Sequence, residues 1–242
     1  MRSILILAAL CVLVACTRPD AAPAATTPAR AADAFPTPDR PVAEIVSSEW
    51  SSGPDRDAAN ESGQLIKGLG IGPGMAVADI GAGSGYHTLR LSPAVGPKGR
   101  VYAQDIVAHY ISGLKREAAR RGIDNVELVV GTADDPKLPV GVLDRAVLVH
   151  MYHEIGNPYA LLHRLIPSMK PGGRVGVIDL DRLTQNHGTP PALLKCEFEA
   201  VGYRQVDFII LAGGGGYLAV FEPPALKDRP RPGDIVPCSA TN

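Results

Sequence analysis

Between Val42 and Glu222 the chain keeps changing its hydrophobic period, with short apolar runs alternating with longer amphipathic stretches. The apolar runs are Met75 to Ile80, Val101 to Gln104, Val126 to Val130, Arg145 to Val149, Arg174 to Ile178, Val206 to Leu211 and Tyr217 to Phe221, and each reads as a strand. Helical periods fall at about 55–69, 84–94, 107–121, 154–168 and 189–201. Strands that alternate with helices are buried on both faces, so the pattern predicts an α/β fold with a mostly parallel seven-stranded sheet and helices on both sides. The last two strands are separated only by Gly213 to Gly216, which is too short for a crossover and predicts an antiparallel terminal hairpin. Gly70, Gly122 and Gly172-Gly173 follow helical stretches, where a left-handed turn is wanted. The first helical stretch is rather polar and reads as a flank or lid. Trp50 just before it reads as a plug at the edge of the core.

Both ends depart from this pattern. Ile4 to Ala15 is an apolar run of about 12 residues behind Arg2, short of the roughly 20 needed to span a bilayer, so residues 1–15 read as a signal peptide. Its end, Leu13-Val14-Ala15-Cys16, resembles the bacterial lipoprotein box, which implies lipidation of Cys16 and a protein anchored in the bacterial cell envelope, facing the periplasm. Residues 16–41 are rich in Ala, Pro and Thr and read as a tether, leaving residues 42–222 as the folded domain. Residues 223–242, with Pro223, Pro224, Pro230, Pro232 and Pro237, read as a flexible tail. Four cysteines make no disulfide scaffold; a bridge between Cys196 and Cys238 is compatible with the sequence but not implied by it. With 24 basic against 25 acidic residues, no global positive field exists to recruit nucleic acid, and the membrane enters only through the lipid anchor.

The segment richest in chemistry is Val77-Ala78-Asp79-Ile80-Gly81-Ala82-Gly83-Ser84-Gly85-Tyr86. Here a strand enters a turn with three alternating glycines and then a helix, so bare backbone can approach a nucleotide-like ligand at the carboxyl edge of a parallel sheet. A phosphate-binding P-loop requires a lysine and a hydroxyl after its last glycine, where this chain has Tyr86 and His87. A dinucleotide fingerprint wants Gly or Ala where Tyr86 stands, which disfavours NAD. Asp79, two places before the first glycine, suits the cationic amine of an amino-acid-bearing ligand. Asp105, at the tip of the second strand, suits both ribose hydroxyls at about 1.5–3 kcal/mol per charge-assisted bond. In the loop after the third strand, Asp134 and Asp135 are both candidates to bind an adenine amino group.

Taken together, Asp79-x-Gly81-x-Gly83-x-Gly85, the acid at 105, the acidic loop at 134–135 and Lys170-Pro171-Gly172-Gly173 resemble the class I S-adenosylmethionine-dependent methyltransferases over about residues 60–222. Met169 to Arg174 and Ala200-Val201-Gly202-Tyr203 are similar to the small-molecule branch of that family. The resemblance implies a Rossmann-like fold, S-adenosylmethionine as cofactor, cofactor contacts from Asp79, Gly81, Gly83, Gly85, Asp105 and Asp134 or Asp135, and methyl transfer to a small-molecule acceptor. In such a fold the loop after the fourth strand faces the reacting methyl. Here it reads His150-Met151-Tyr152-His153-Glu154, without the Asp/Asn-Pro-Pro-aromatic run of the branches that methylate amino groups of nucleic acids and proteins. His153 is the expected general base or orienting group, supported by His150, Tyr152 and Glu154, since histidine titrates near neutrality. The following rim, Asp179 to Arg182 and His187 to Pro191, adds substrate-selecting candidates; its aspartates and histidines also permit a metal but match no fixed ligand spacing, and no metal is expected. The alternative to an enzyme is a lipoprotein binding module that keeps the fold to hold a nucleoside-like ligand without turnover.

Overall fold

The computed structural model describes residues 34–45 and 53–239. The chain divides into Met1–Arg30 and Ala31–Asn242, and only the second unit contains described residues. The expected signal peptide, Cys16 and Trp50 lie outside the described residues.

The sheet has seven strands: β1 (Ala76–Ile80), β2 (Arg100–Asp105), β3 (Val126–Val130), β4 (Leu143–Val149), β5 (Met169–Asp179), β6 (Arg204–Ile210) and β7 (Tyr217–Glu222). Their order is β3-β2-β1-β4-β5-β7-β6. β1 pairs in parallel with both β2 and β4, with Ala78 beside Tyr102 on one side and Ala146 on the other. β7 runs antiparallel to both β5 and β6, so the terminal hairpin is present as expected. The chain runs outward from β1 through β2 to β3 and returns to the other side of β1 for β4. The carboxyl ends of β1 and β4 therefore flank a topological switch point, where open α/β sheets bind ligands.

Side chains of a strand alternate between faces, and the two cores follow that rule. Ala78 and Ile80, Ala146 and Leu148, and Tyr217, Ala219 and Phe221 point into one cluster. Val77, Val147, Leu218 and Val220 point into the other. Helices α5 (Pro158–Leu165) and α6 (Pro191–Ala200) cover the first face, with Phe198 of α6 stacked on Phe221 at 3.9 Å. Helices α2 (Glu61–Gly68) and α3 (Thr88–Val95) cover the second through Leu65 and Leu91. Helix α4 (Ala108–Arg120) packs Leu114 against Ala82 and Ala103.

Three expectations are revised. The helix read over 55–69 is two pieces, α1 (Gly53–Ala58) and α2, separated at Asn60, whose φ of 50° is left-handed. Asparagine tolerates that conformation, and the absence of a side chain at Gly63 leaves room for the Asn60 amide; a Cβ there would lie 2.2 Å from its oxygen. The helix read from residue 84 begins only at Thr88, because Gly81, Gly83 and Gly85 all have positive φ. The tail, finally, is anchored to the domain at Ile235 and Cys238. Ile235 is buried in the first core, the Cys238 N–H donates to the Tyr159 hydroxyl at 2.7 Å, and Cys196 and Cys238 form a disulfide.

The described part of the expected tether is likewise built into the domain. Arg40 is buried and donates to Glu197 of α6 at 2.8 Å and to the carbonyls of Tyr152 and Ile155 at 3.4 and 3.3 Å. Asp39 forms a parallel bridge with Ser239, so both ends of the domain meet. A run of prolines removes backbone donors but does not prevent packing where side chains and a covalent link supply the contacts.

Candidate active site

The carboxyl ends of β1, β2 and β4 open into one crevice. Its β1 wall is the glycine turn, where φ is 72° at Gly81, 53° at Gly83 and 90° at Gly85. L-residues pay roughly 1–2 kcal/mol in that region, so glycine is the natural occupant. Space demands it as well: a Cβ on Gly81 would lie 2.9 Å from Met151 Cγ, and one on Gly85 would lie 2.3 Å from Leu114 Cδ1.

Asp105 stands where the sequence places it. Its Oδ2 accepts the Gly83 N–H and its Oδ1 the Val107 N–H, both at 2.8 Å, which locks the carboxylate against the turn. Each oxygen keeps lone-pair capacity for a further donor. Around it, Ile80, Gln104, Ile106, Thr132, Ala133, Ile155 and Leu161 form a slot that is mostly apolar with a polar tip. Asp134 and Asp135 are not in that slot. Arg164 draws the Asp134 carboxylate away in an ion pair, and Asp135 accepts the Lys137 N–H at 2.9 Å within its own turn. Thr132 and Ala133 represent the loop instead.

A second recess continues past Gly81 and is lined by Arg56, Asp79, Ser84, His87, His150 and Glu154, among others. Asp79 is buried and accepts the Thr88 hydroxyl at 2.6 Å. Burial raises its pKa, against the opposing pull of His87 and of the Thr88 hydrogen bond. Behind the recess lies a cluster that sequence reasoning missed. Glu61 faces Arg56 at 2.6 Å, His87 at 3.0 Å and His150 at 2.9 Å. Burial works against the Glu61 carboxylate, but hydrogen bonds from His150 and His87 and the Arg56 charge hold it well below the usual carboxylate range. Burial lowers the pKa of His87, with the Glu61 hydrogen bond acting in the opposite direction. No motif marks these residues, since they come from α1, α2, the glycine turn and the loop after β4.

The loop after β4 splits into two groups. His150, Met151 and Glu154 line the recess, and Met151 and Glu154 also line the apolar slot. Tyr152 and His153 are fully enclosed and line neither. The Nδ1 of His153 lies 3.1 Å from both oxygens of Asp179, at the end of β5. Its enclosure leaves it no direct access to a molecule in the crevice.

The residues suit an adenosyl amino acid: a flat apolar slot with a carboxylate tip for a nucleoside, bare backbone in the middle, and a recess with both an arginine and an acid for a zwitterion. Residues 77–173 match the family described as a methyltransferase domain. The chain is 27% identical over 132 residues to the ubiquinone/menaquinone biosynthesis C-methyltransferase UbiE of Coxiella burnetii, covering 54% of this chain and 50% of that protein. It is 33% identical over 165 residues to the protein-L-isoaspartate O-methyltransferase of Aeropyrum pernix, covering 64% of this chain and 58% of the relative. The chain thus spans about half the length of the curated relatives it matches. A solved S-adenosylmethionine-dependent methyltransferase from Aquifex aeolicus superposes with a TM-score of 0.64 at 24% identity, over 74% of this chain and 98% of that one, which shows a shared fold. Residues 77–173 thus match a methyltransferase domain, on a fold shared with a solved S-adenosylmethionine-dependent methyltransferase.

Proposed function

We propose that the protein transfers a methyl group from S-adenosylmethionine to a small-molecule acceptor, and that it works outside the cytoplasm, tethered to a membrane through Cys16. The carrying observation is the continuous crevice at the switch point, with the glycine turn and Asp105 along one side and Met151 and Glu154 along the other.

Bound S-adenosylmethionine supplies an already activated methyl group, so the protein has to align an acceptor and, where needed, receive its proton. In this reading Asp105 accepts the ribose hydroxyls, the Gly81–Gly85 backbone permits close approach, and Asp79 and Arg56 hold the amino-acid end. His150 and Glu154, which line the recess, face the acceptor. Tyr152 and His153 stand behind them as positioning groups. The absence of an Asp/Asn-Pro-Pro-aromatic run at 150–154 supports a small molecule over a nucleic-acid or protein amine. The similarity to UbiE, a ubiquinone/menaquinone biosynthesis C-methyltransferase, points the same way. The disulfide supports an oxidising compartment, because such bonds persist there and are rare in a reducing cytosol.

Calorimetric titration of the detergent-solubilised full chain with S-adenosylmethionine, its demethylated product and NAD tests the cofactor assignment. Micromolar binding of the first two and none of NAD is expected; failure of both adenosyl compounds to bind overturns it. Binding without methyl transfer to any of a panel of phenols, quinols and amines would favour the ligand-holding module. Cys16→Ser is expected to release the protein from the membrane fraction, and continued partitioning with lipid would defeat the tether.

A further inference from the structure

The loops after β4 and β5 meet in a second cluster beside the crevice. His153, Glu154 and His187 each offer one ligating atom, and the three atoms lie within 4.8 Å of one another. Ligands on a tetrahedral divalent ion with bonds of about 2.1 Å sit about 3.4 Å apart, so the three atoms have to draw closer to hold one, and Glu154 and His187 are the two that are only half-buried.

The surroundings of the two histidines favour this use. The Asp179 carboxylate already accepts the Leu180 N–H at 2.9 Å and the Thr189 hydroxyl at 2.7 Å, and the His153 Nδ1 lies 3.1 Å from both its oxygens. A carboxylate so placed accepts a hydrogen bond from an Nδ1–H, the tautomer in which Nε2 is the ligating nitrogen and an outer carboxylate orients a histidine towards a metal. His187 holds a left-handed backbone, φ 55° and ψ 62°, after the single helical turn Thr184–Asn186. Gly188 fixes the next step, since a Cβ there would lie 2.6 Å from the Leu180 carbonyl oxygen. The His187 ring meets that of His153 edge-on at 5.5 Å. A loop held in a disfavoured conformation that presents an imidazole to a second, oriented imidazole is what a built ligand set requires.

We propose that His153, Glu154 and His187 bind a divalent first-row transition metal of the zinc class, with Asp179 as the residue that positions His153. Two imidazoles and one carboxylate select such ions over magnesium or calcium, which want oxygen ligands. Three protein ligands leave a coordination position open, as in catalytic zinc sites. Glu154 also lines the crevice, so the site borders the space where the proposed acceptor lies. That last consequence rests on the methyl-transfer reading; the metal site itself does not.

The test uses the untagged full chain, stripped with chelator and titrated with Zn²⁺ against a chromophoric competitor and with Co²⁺ for its visible absorption. One equivalent of tight Zn²⁺ and a four- or five-coordinate Co²⁺ spectrum are expected, with Mg²⁺ failing to compete. Glu154→Gln and His187→Ala, both at partly exposed positions, are expected to lose at least 10-fold in affinity while keeping the far-ultraviolet circular dichroism. Asp179→Asn, with its fold verified in the same way, is expected to weaken Zn²⁺ by about 10- to 100-fold. His109→Ala, on the exposed face of α4, serves as the control and is expected to change nothing. Absence of the Co²⁺ bands overturns the proposal. So does unchanged affinity in His187→Ala, or an equal loss in His109→Ala. None of these readouts depends on methyl transfer, so failure of the metal site and failure of the proposed reaction are separately visible.

Discussion

Asp79 shows at the residue scale how a site works against the stability of the chain that carries it. Its carboxylate is buried beneath the glycine turn with the Thr88 hydroxyl as its hydrogen-bond donor, and burial raises its pKa above the ordinary 3.8. A carboxyl whose folded pKa is raised favours folding fully only below its unfolded pKa, and that contribution fades as pH rises through the folded value. At neutral pH the charge is therefore a cost, which the proposed contact with a cationic ligand group would offset. Asp79→Asn keeps an oxygen for Thr88 and removes the charge. Its thermal midpoint at pH 7 is expected to equal or exceed that of the parent, the difference closing as pH falls towards 4, while S-adenosylmethionine binds about 10- to 100-fold more weakly. Paired melting curves and titrations check both halves. A lower midpoint at pH 7 together with unchanged binding would show that Asp79 serves the fold instead.

At the scale of elements, α1 and α2 illustrate how a polar helix acquires a core role. By composition this stretch reads as a flank, yet α2 buries Glu61, Ser62 and Leu65. His87 stands at the centre of the contacts that result. Arg56 of α1, Glu61 and Ser62 of α2, Asp79 of β1 and Tyr86 of the turn surround it, and His150 reaches Glu61 from the loop after β4. Burial lowers the His87 pKa below the ordinary 6.5. For a histidine shifted in that direction, stability is present above the unfolded pKa and is lost as pH falls through the folded one. Denaturant unfolding between pH 7 and 5 is accordingly expected to show falling stability, and His87→Gln to flatten that slope. A variant with the parent slope would place the acid sensitivity elsewhere. The glycine turn was legible in the sequence because each glycine answers a local demand of backbone or space. The Glu61 cluster was not, because four separate segments build it and no spacing along the chain encodes their meeting.

Across the whole molecule, the two ends of the domain are closed by tertiary contacts that composition conceals. The disulfide joins residues 42 positions apart, and Arg40 and Glu197 form an ion pair with fully enclosed side chains. A cross-link around a loop of that length contributes about 4 kcal/mol by restricting the unfolded chain. Cys238→Ser is therefore expected to lower the melting temperature by about 10 °C, and reductant is expected to affect the parent but not the variant. Equal melting with and without reductant in the parent would remove the bond from the stability of this domain. Arg40 also donates to the carbonyls of Tyr152 and Ile155, which ties this closure to the loop that borders the crevice.

The alternation of apolar runs determined the α/β class, the seven strands and the final hairpin, since strand and helix periods are properties of neighbouring residues. The glycines at 81, 83 and 85 and the acid at 105 marked the crevice at the switch point, where a nucleoside-like ligand is proposed to sit, for the same local reason. Only the tertiary structure decided that the tail is anchored at Ile235 and Cys238, that Asp134 and Asp135 do not line the slot, and that Tyr152 and His153 are enclosed while His150 and Glu154 line the recess. The anchored tail, the turned Asp134 and the enclosed His153 each depend on a partner distant in sequence: Cys196 for Cys238, Arg164 for Asp134, Asp179 for His153. Periodicity records which face of an element is buried, but not which residue of another element waits there.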